Sequence, residues 1–333
     1  MSSAPAPREI WRDARWLAQA VDPHAGLIRL VEMNAEDYRE ASFLDDRMFE
    51  QPRTSHVLKW AEVAEAMPAH ARTDARWIFH IGHVGSTLLA RLLGELEGVL
   101  SIREPRSFRD LLFFPAEVRA EYIPTIQALF SRTFAPGQSA LVKTTSAVNE
   151  IAGELLADGQ AALFLYTKPR SFISGILAGE NSRTELAAMA DMRRRRLASR
   201  GMDLPAPRGD ADAAAGAWAC EMTALEAADG GKVLWADFDS ALDDLDGWLA
   251  KMTRHFGVAA SDDELRAIAN GPLTRRYSKA TEHEYSADLR GRLLSEAEER
   301  HRSDIDSALA MLAAAAETAP LLRKALDRAQ AES

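Results

Sequence analysis

The segment Ile81-Gly82-His83-Val84-Gly85-Ser86-Thr87-Leu88-Leu89 carries the clearest chemical signal in the chain. It follows an apolar run and opens a helical pattern with Leu88, Leu89, Leu92, Leu93 and Leu96 on one side. Glycines let the backbone turn so that successive N–H groups converge on one anion. The exposed donors and positive dipole end of a following helix add to that attraction, and Ser86 and Thr87 bring hydroxyl donors to the same place. The plainer alternative is an ordinary strand-to-helix turn capped by Ser86 or Thr87. No Gly-Lys-Ser/Thr follows, so a nucleoside triphosphate fits poorly. A nucleotide with a smaller anionic group at its 5′ end fits better.

Three further segments place polar groups just after short apolar runs. In Ser101-Ile-Arg-Glu-Pro105, Glu104 is a candidate general base, or else caps the next helix or pairs with Arg103 or Arg106. In Leu141-Val-Lys-Thr-Thr-Ser146, Lys143 is one of only seven lysines beside 33 arginines. A compact ammonium there could neutralise charge on a leaving group, or could simply snorkel from a strand end. In Tyr166-Thr-Lys-Pro-Arg-Ser-Phe-Ile-Ser174, the residues Lys168, Arg170, Ser171 and Ser174 form a second potential phosphate pocket, or a proline-initiated helix with solvated cations. The donor-rich stretch from Arg275 to Tyr285, with Arg276, Tyr277 and Lys279, reads as a lid over a ligand.

These segments need a scaffold that brings strand ends together. Short apolar runs at Trp77–Ile81, Val99–Ile102, Ala140–Val142, Ala162–Tyr166 and Lys232–Ala236 read as buried strands. Helical patterns at Ser86–Leu96, Ala120–Phe134, Ala147–Ala157, Thr184–Ser199 and Ala211–Ala228 alternate with them. Such alternation implies right-handed βαβ units and a parallel sheet covered on both faces, with ligands at the carboxyl ends of the strands. Residues 1–70 read as a mainly helical packing extension without chemistry: Trp11, Trp16, Leu17 and Val21 sit near helical spacing, Leu27–Val31 suits a short strand, and Val57–Ala66 a helix. Residues 71–290 form the α/β domain, and residues 291–333 an Ala/Leu/Glu/Arg-rich helical segment packed on it.

Composition narrows the function. The 333 residues carry 40 Lys+Arg and 50 Asp+Glu, a formal charge of −10, which argues against bulk nucleic-acid binding. With 47% hydrophobic residues the chain can bury a sizeable core. A single cysteine, Cys220, excludes an intrachain disulfide framework and a Cys-rich zinc site. The start lacks the apolar run of a signal peptide, and the stretch Ala308–Ala316 falls far short of the roughly 20 residues that span a bilayer. A cytoplasmic protein with no membrane or nucleic-acid partner is expected. No metal is expected either: His283 beside Glu282 and Glu284 lacks a second ligand cluster. His80 reads as a hydrogen-bonded core residue, Trp218 and Trp248 as core, and Arg193–Arg196 as a solvated helix end.

Taken together, residues 77–145, 162–175 and the Trp235–Asp239 strand end resemble the PAPS-dependent sulfotransferases, especially their bacterial branch. Gly85-Ser86-Thr87-Leu88-Leu89 is similar to that family's phosphosulfate loop, and the Glu-Pro at 104–105 to bacterial members in which this Glu is the base. Lys143-Thr144 resembles a Lys-Thr ending a later strand, Lys168-Pro-Arg-Ser the region near the 3′-phosphate, Ala236-Asp-Phe-Asp239 the Glu-Asp-Leu segment, and His255-Phe-Gly257 the Phe-Leu-Gly. The resemblance implies a three-layer, P-loop-like α/β fold on a mostly parallel five-stranded sheet, with helical N- and C-terminal extensions. It implies PAPS (3′-phosphoadenosine 5′-phosphosulfate) as co-substrate, a small-molecule hydroxyl or amine acceptor, and no metal. Gly82, Val84, Gly85, Ser86 and Thr87 would hold the 5′-phosphosulfate. Lys168, Arg170 and Ser174, with Arg276, Tyr277 and Lys279, would hold the rest of the nucleotide. Glu104 would be the base, with His83 and Lys143 balancing charge. The chain departs from the family in carrying His83 where Lys or Arg is usual, and in lacking the family's Arg/Ser spacing before Ser174. A P-loop-like phosphotransferase or nucleotide hydrolase, and a non-catalytic nucleotide-binding relative, are the alternatives. Acceptor contacts are expected from residues 106–135, 178–210 and the N-terminal extension.

Overall fold

A computed structural model describes residues 3–275 and 287–331. The N-terminal segment corrects the helical expectation. After α1 (Pro7–Ile10) come β1 (Trp16–Asp22), β2 (Leu27–Glu32), α2 (Ala35–Glu40), β3 (Ser55–Lys59) and α3 (Trp60–Glu65), and the three strands form an antiparallel sheet in the order β1-β2-β3. The near-helical spacing of Trp16, Leu17 and Val21 is overridden by hairpin pairing, Trp16 opposite Glu32 and Asp22 opposite Leu27. Asp22 closes the turn by accepting the N–H groups of His24 and Ala25, and Gly26 supplies the left-handed residue. Nearly every β1 residue is buried, so the strand has no polar face to show a period of two. The expected helix at Val57–Ala66 is half strand and half helix.

The rest of the chain follows the expected alternation. The strands are β4 (Arg76–His80), β5 (Val99–Arg103), β6 (Ser139–Lys143), β7 (Ala162–Tyr166) and β8 (Val233–Asp237). Between β4 and β7 lie α4 (Ser86–Leu93), α5 (Arg106–Leu111), α6 (Ala116–Phe130) and α7 (Ala152–Leu155). Then come α8 (Pro169–Ala178), α9 (Glu180–Ser199) and α10 (Asp210–Ala228) before β8, and α11 (Phe238–Asp243), α12 (Leu245–Phe256) and α13 (Asp262–Ala269) after it. The five strands are parallel, in the order β5-β6-β4-β7-β8. The chain leaves β4 toward one edge of the sheet and later returns past it to build the other. The carboxyl end of β4 is therefore where an open α/β sheet forms its crevice. Trp77, Phe79, Phe108, Phe164 and Trp235 pack against one another around the sheet.

Two buried arginines tie the N-terminal segment to this core. Arg103, at the end of β5, donates to the carbonyls of Tyr38, Arg39 and Ala41. Arg132, just past α6, donates to those of Ile10, Trp16 and Leu129. Burial pulls Arg103 down to about 9 and Arg132 down to about 10. Finally α14 (Ala287–Ala316) lies against α8 and α10, and α15 (Pro320–Ala331) against α10. Among the described residues no helix is long and apolar enough to cross a membrane.

Candidate active site

The loop after β4 is held from behind by the last residue of the strand. The Gly82 N–H donates to His80 Nδ1 at 3.0 Å, which leaves Nε2 as the protonated nitrogen facing the Thr144 carbonyl at 2.9 Å. The His80 carbonyl accepts from Asn149 Nδ2 at 3.0 Å, and the same amide donates to Glu221 Oε2 at 3.1 Å. His80 is thus the hydrogen-bonded core residue expected, and it also fixes the loop. Burial pushes the Glu221 carboxyl up to about 7, against the opposing pull of Arg193, Arg196, the Asn149 amide and Arg200.

Within the loop Gly82, His83 and Gly85 all have left-handed backbone, with φ of 84°, 54° and 61°. Such turns aim neighbouring N–H groups into one concavity. Gly85 is required on two counts: a Cβ there would lie 1.9 Å from Phe238 Cζ, and φ is positive. No side chain caps α4, so its first-turn N–H groups keep their anion-binding capacity. Ser86 and Thr87 are buried, and Thr87 Oγ1 has no hydrogen-bond partner among the described residues. A buried hydroxyl without a partner is costly in a folded protein, and Thr87 lines a cleft of about 1000 Å³ together with Gly82, His83, Val84, Gly85 and Ser86. His83 bridges across the cleft to α9, with Nδ1 3.3 Å from Ser182 Oγ and Nε2 3.4 Å from Glu185 Oε2.

Glu104 stands on the same cleft. Its φ is 53°, so His83 and Glu104 are the two left-handed residues other than glycine among those described, a strained conformation that functional sites tend to store. Its N–H donates to the Lys143 carbonyl at 2.7 Å. Lys143 Nζ donates to Oε1, and Arg47 Nη2 donates to Oε2 at 3.1 Å. Lys143 itself is buried against Glu104 and does not line the cleft.

Arg47 is the residue that the sequence hides. It belongs to a 3₁₀ turn, Asp46–Glu50, capped by Asp45, in the N-terminal segment, where no chemistry was expected, and it lines the cleft. The guanidinium takes both Asp45 oxygens at 2.8 Å and stacks 3.4 Å over the Phe43 ring. Phe43, Asp45, Asp46 and Arg109 line this end of the cleft. Arg290 of α14 lines the other wall, bonded to Asp239 Oδ1 at 2.9 and 3.0 Å and lying over the Phe238 ring. No local pattern marks Arg47 or Arg290, since each is recruited across more than 50 residues of chain.

The expected 3′-phosphate group is not brought to this cleft. Arg170 Nη1 binds Glu298 at 3.2 Å and its Nη2 binds Asp306 at 2.6 Å, both on α14. Ser174 is buried, Lys168 lies at the start of α8 near Asp237, and none of the three lines the cleft. The small residues Gly175, Ala178 and Gly179 form the α8 side of the wall. Arg276, Tyr277 and Lys279, with the rest of the expected lid to Tyr285 and with His283, lie outside the described residues. Among the described residues no group of three or more His, Cys, Asp or Glu side chains is placed to hold a metal ion.

No family model and no curated protein matches the chain. Among solved structures it is similar to the mouse sulfotransferase SULT7A1 complexed with PAP, with a TM-score of 0.40 and 13% identity over 77% of this chain and 89% of that one. It is also similar to the sulfotransferase domain from the curacin biosynthetic pathway, with a TM-score of 0.38 and 13% identity over 72% of this chain and 97% of that one.

Proposed function

We propose that the chain transfers a sulfuryl group from PAPS to a hydroxyl or amine. The observation that carries this reading is convergence: an uncapped glycine cradle and a carboxylate bracketed by two cations open on one cleft. When bound, PAPS supplies the sulfuryl group: sulfur bonds to the acceptor's oxygen or nitrogen as its bond to the bridging oxygen breaks and PAP leaves. The cradle fits that end of the nucleotide, because the first-turn N–H groups of α4 and the unpartnered Thr87 hydroxyl are donors awaiting oxygens. The loop has no lysine, which disfavours a nucleoside triphosphate and leaves His83 where the sulfotransferase loop usually carries Lys or Arg. Lys168, Arg170 and Ser174 do not line this cleft, and the reading does not rest on them for the 3′-phosphate.

The residues of the chain divide the remaining work. Glu104 exchanges its Arg47 contact for the acceptor's O–H or N–H and takes that proton. Lys143 holds the other oxygen and fixes the carboxylate's orientation. His83 stands at the mouth of the loop with both ring nitrogens facing α9, Nδ1 toward Ser182 and Nε2 toward Glu185, and would have to turn from these partners to balance charge on the nucleotide. A thermal-shift comparison tests the reading: PAP should raise the melting temperature more than AMP, ADP or ATP. Equal shifts from all four, or a larger one from ATP, would remove it.

A further inference from the structure

The end of the cleft beside Glu104 is lined by two guanidiniums, Arg47 and Arg109, and three carboxylates, Asp45, Asp46 and Glu104. Asp46 is taken by Arg106, which bonds both its oxygens at 2.8 and 3.1 Å. Asp45 is then the carboxylate shared by two guanidiniums. Arg47 Nη2 lies 2.8 Å and Arg109 Nη1 3.8 Å from the same atom, Asp45 Oδ2. Both side chains reach solvent, at 48% and 39% exposure, and both line the cleft. Arg47 is also preorganised: Asp45 grips its Nε and Nη2, Phe43 supports its face, and its Nη1 makes no hydrogen bond among the described residues. Arg109 makes no hydrogen bond through its guanidinium among them either. Two guanidiniums that converge on one oxygen and stay partly unsatisfied form a fork suited to an incoming carboxylate or similar oxyanion.

We infer that the acceptor is anionic: it carries a carboxylate or comparable oxyanion, held between Arg47 and Arg109, beside the hydroxyl or amine presented to Glu104. This deepens the sulfuryl-transfer reading and rests on Glu104 as its base. An anion anchored there also gives a reason for Arg47 to leave Glu104 Oε2, since the guanidinium, still held by Asp45, exchanges one carboxylate for another.

Calorimetric titration with matched probes tests it without turnover. The probes are 4-hydroxybenzoate against 4-hydroxybenzamide, and lactate against lactamide, each with and without saturating PAP. At least one carboxylate should bind about tenfold tighter than its amide. That preference should fall with added salt, vanish in Arg109→Gln, and return in Arg109→Lys, which restores charge and guards against a folding defect. Equal affinities in both pairs, or a preference unchanged in Arg109→Gln, would overturn the inference. PAP binding is read in the same titrations. Carboxylate preference without PAP binding would keep the anion fork and sink the sulfuryl reading, and PAP binding without the preference would do the reverse.

Discussion

At the β4 end of the cleft the contact groups come from residues 80–88, consecutive in the chain and held by backbone geometry. At the β5 end they come from residues 43–47, 104 and 109, joined by side chains across about 60 positions. The first end is specified by local rules: a strand, left-handed glycines and a helix start place the donors wherever that string occurs. The second depends on Arg103 clamping the carbonyls at the end of α2, so that the turn beginning at Asp46 meets Glu104. A loop motif can therefore be read from its letters, whereas a side-chain constellation exists only after the fold has formed.

The sharpest way to break this comparison is at Glu104, where the two ends meet. Glu104→Gln keeps the size and one acceptor oxygen but cannot take the acceptor's proton. Turnover should fall by about 10²–10⁴ while PAP-induced stabilisation persists, measured by steady-state transfer and thermal shift on the same preparation. Full turnover would show that Glu104 is not the base. Gly85→Ala attacks the other end. Left-handed backbone at a non-glycine residue costs about 1–2 kcal/mol, and displacing the Phe238 ring adds about 1–3 kcal/mol. The melting temperature should drop and selective stabilisation by PAP should disappear. Retained PAP selectivity would mean that the cradle lies elsewhere.

The network behind the loop gives a third test, through pH. Glu221 titrates at about 7 in the folded chain against 4.5 for the ordinary side chain, chiefly because it is buried. The folded state binds this proton more tightly than the unfolded state. Its contribution to stability is therefore fully present below about pH 4.5, is lost as pH rises toward 7, and levels off above. The full change is about 3 kcal/mol. Denaturant titrations across that range should show this extra slope in the wild type and its loss in Glu221→Gln. Parallel slopes for the two proteins would place the titration elsewhere.

Much of the scaffold was legible because its signals are local. The five strand runs stand where apolar clusters suggested, within a residue or so at either end, and both glycines of the expected turn, Gly82 and Gly85, fall in the loop between β4 and α4. The N-terminal segment misled for a physical reason. Trp16, Leu17 and Val21 imitate helical spacing, and a strand buried on both faces has no alternation to betray it. Glu104 and Lys143 were visible as polar residues at the ends of buried strands, and the structure pairs them. Their third partner, Arg47, was one arginine among 33, and only tertiary packing distinguishes it. The cations at 168 and 170 looked like a phosphate site because their sequence says nothing of α14, more than 120 residues later, whose acids claim Arg170.

Arg170 offers the finest discrimination between the two modes of construction. If a motif were sufficient by itself, Arg170→Ala would weaken PAP binding by the value of a charge-assisted phosphate contact, about 1.5–3 kcal/mol or roughly 10- to 100-fold. In the structure its guanidinium instead joins α8 to α14 through Glu298 and Asp306, with all three side chains more than a third exposed. Ion pairs so open to solvent contribute about 0–1 kcal/mol. The variant should therefore lose at most a few degrees of melting temperature and leave PAP affinity within about twofold of wild type. A tenfold loss of PAP affinity would show that Arg170 abandons the α14 acids for the nucleotide, and that α14 shifts when ligand binds. Glu298→Gln combined with Asp306→Asn separates the two cases. It should leave affinity unchanged if Arg170 is structural, and raise it if those carboxylates compete with a phosphate for the same guanidinium.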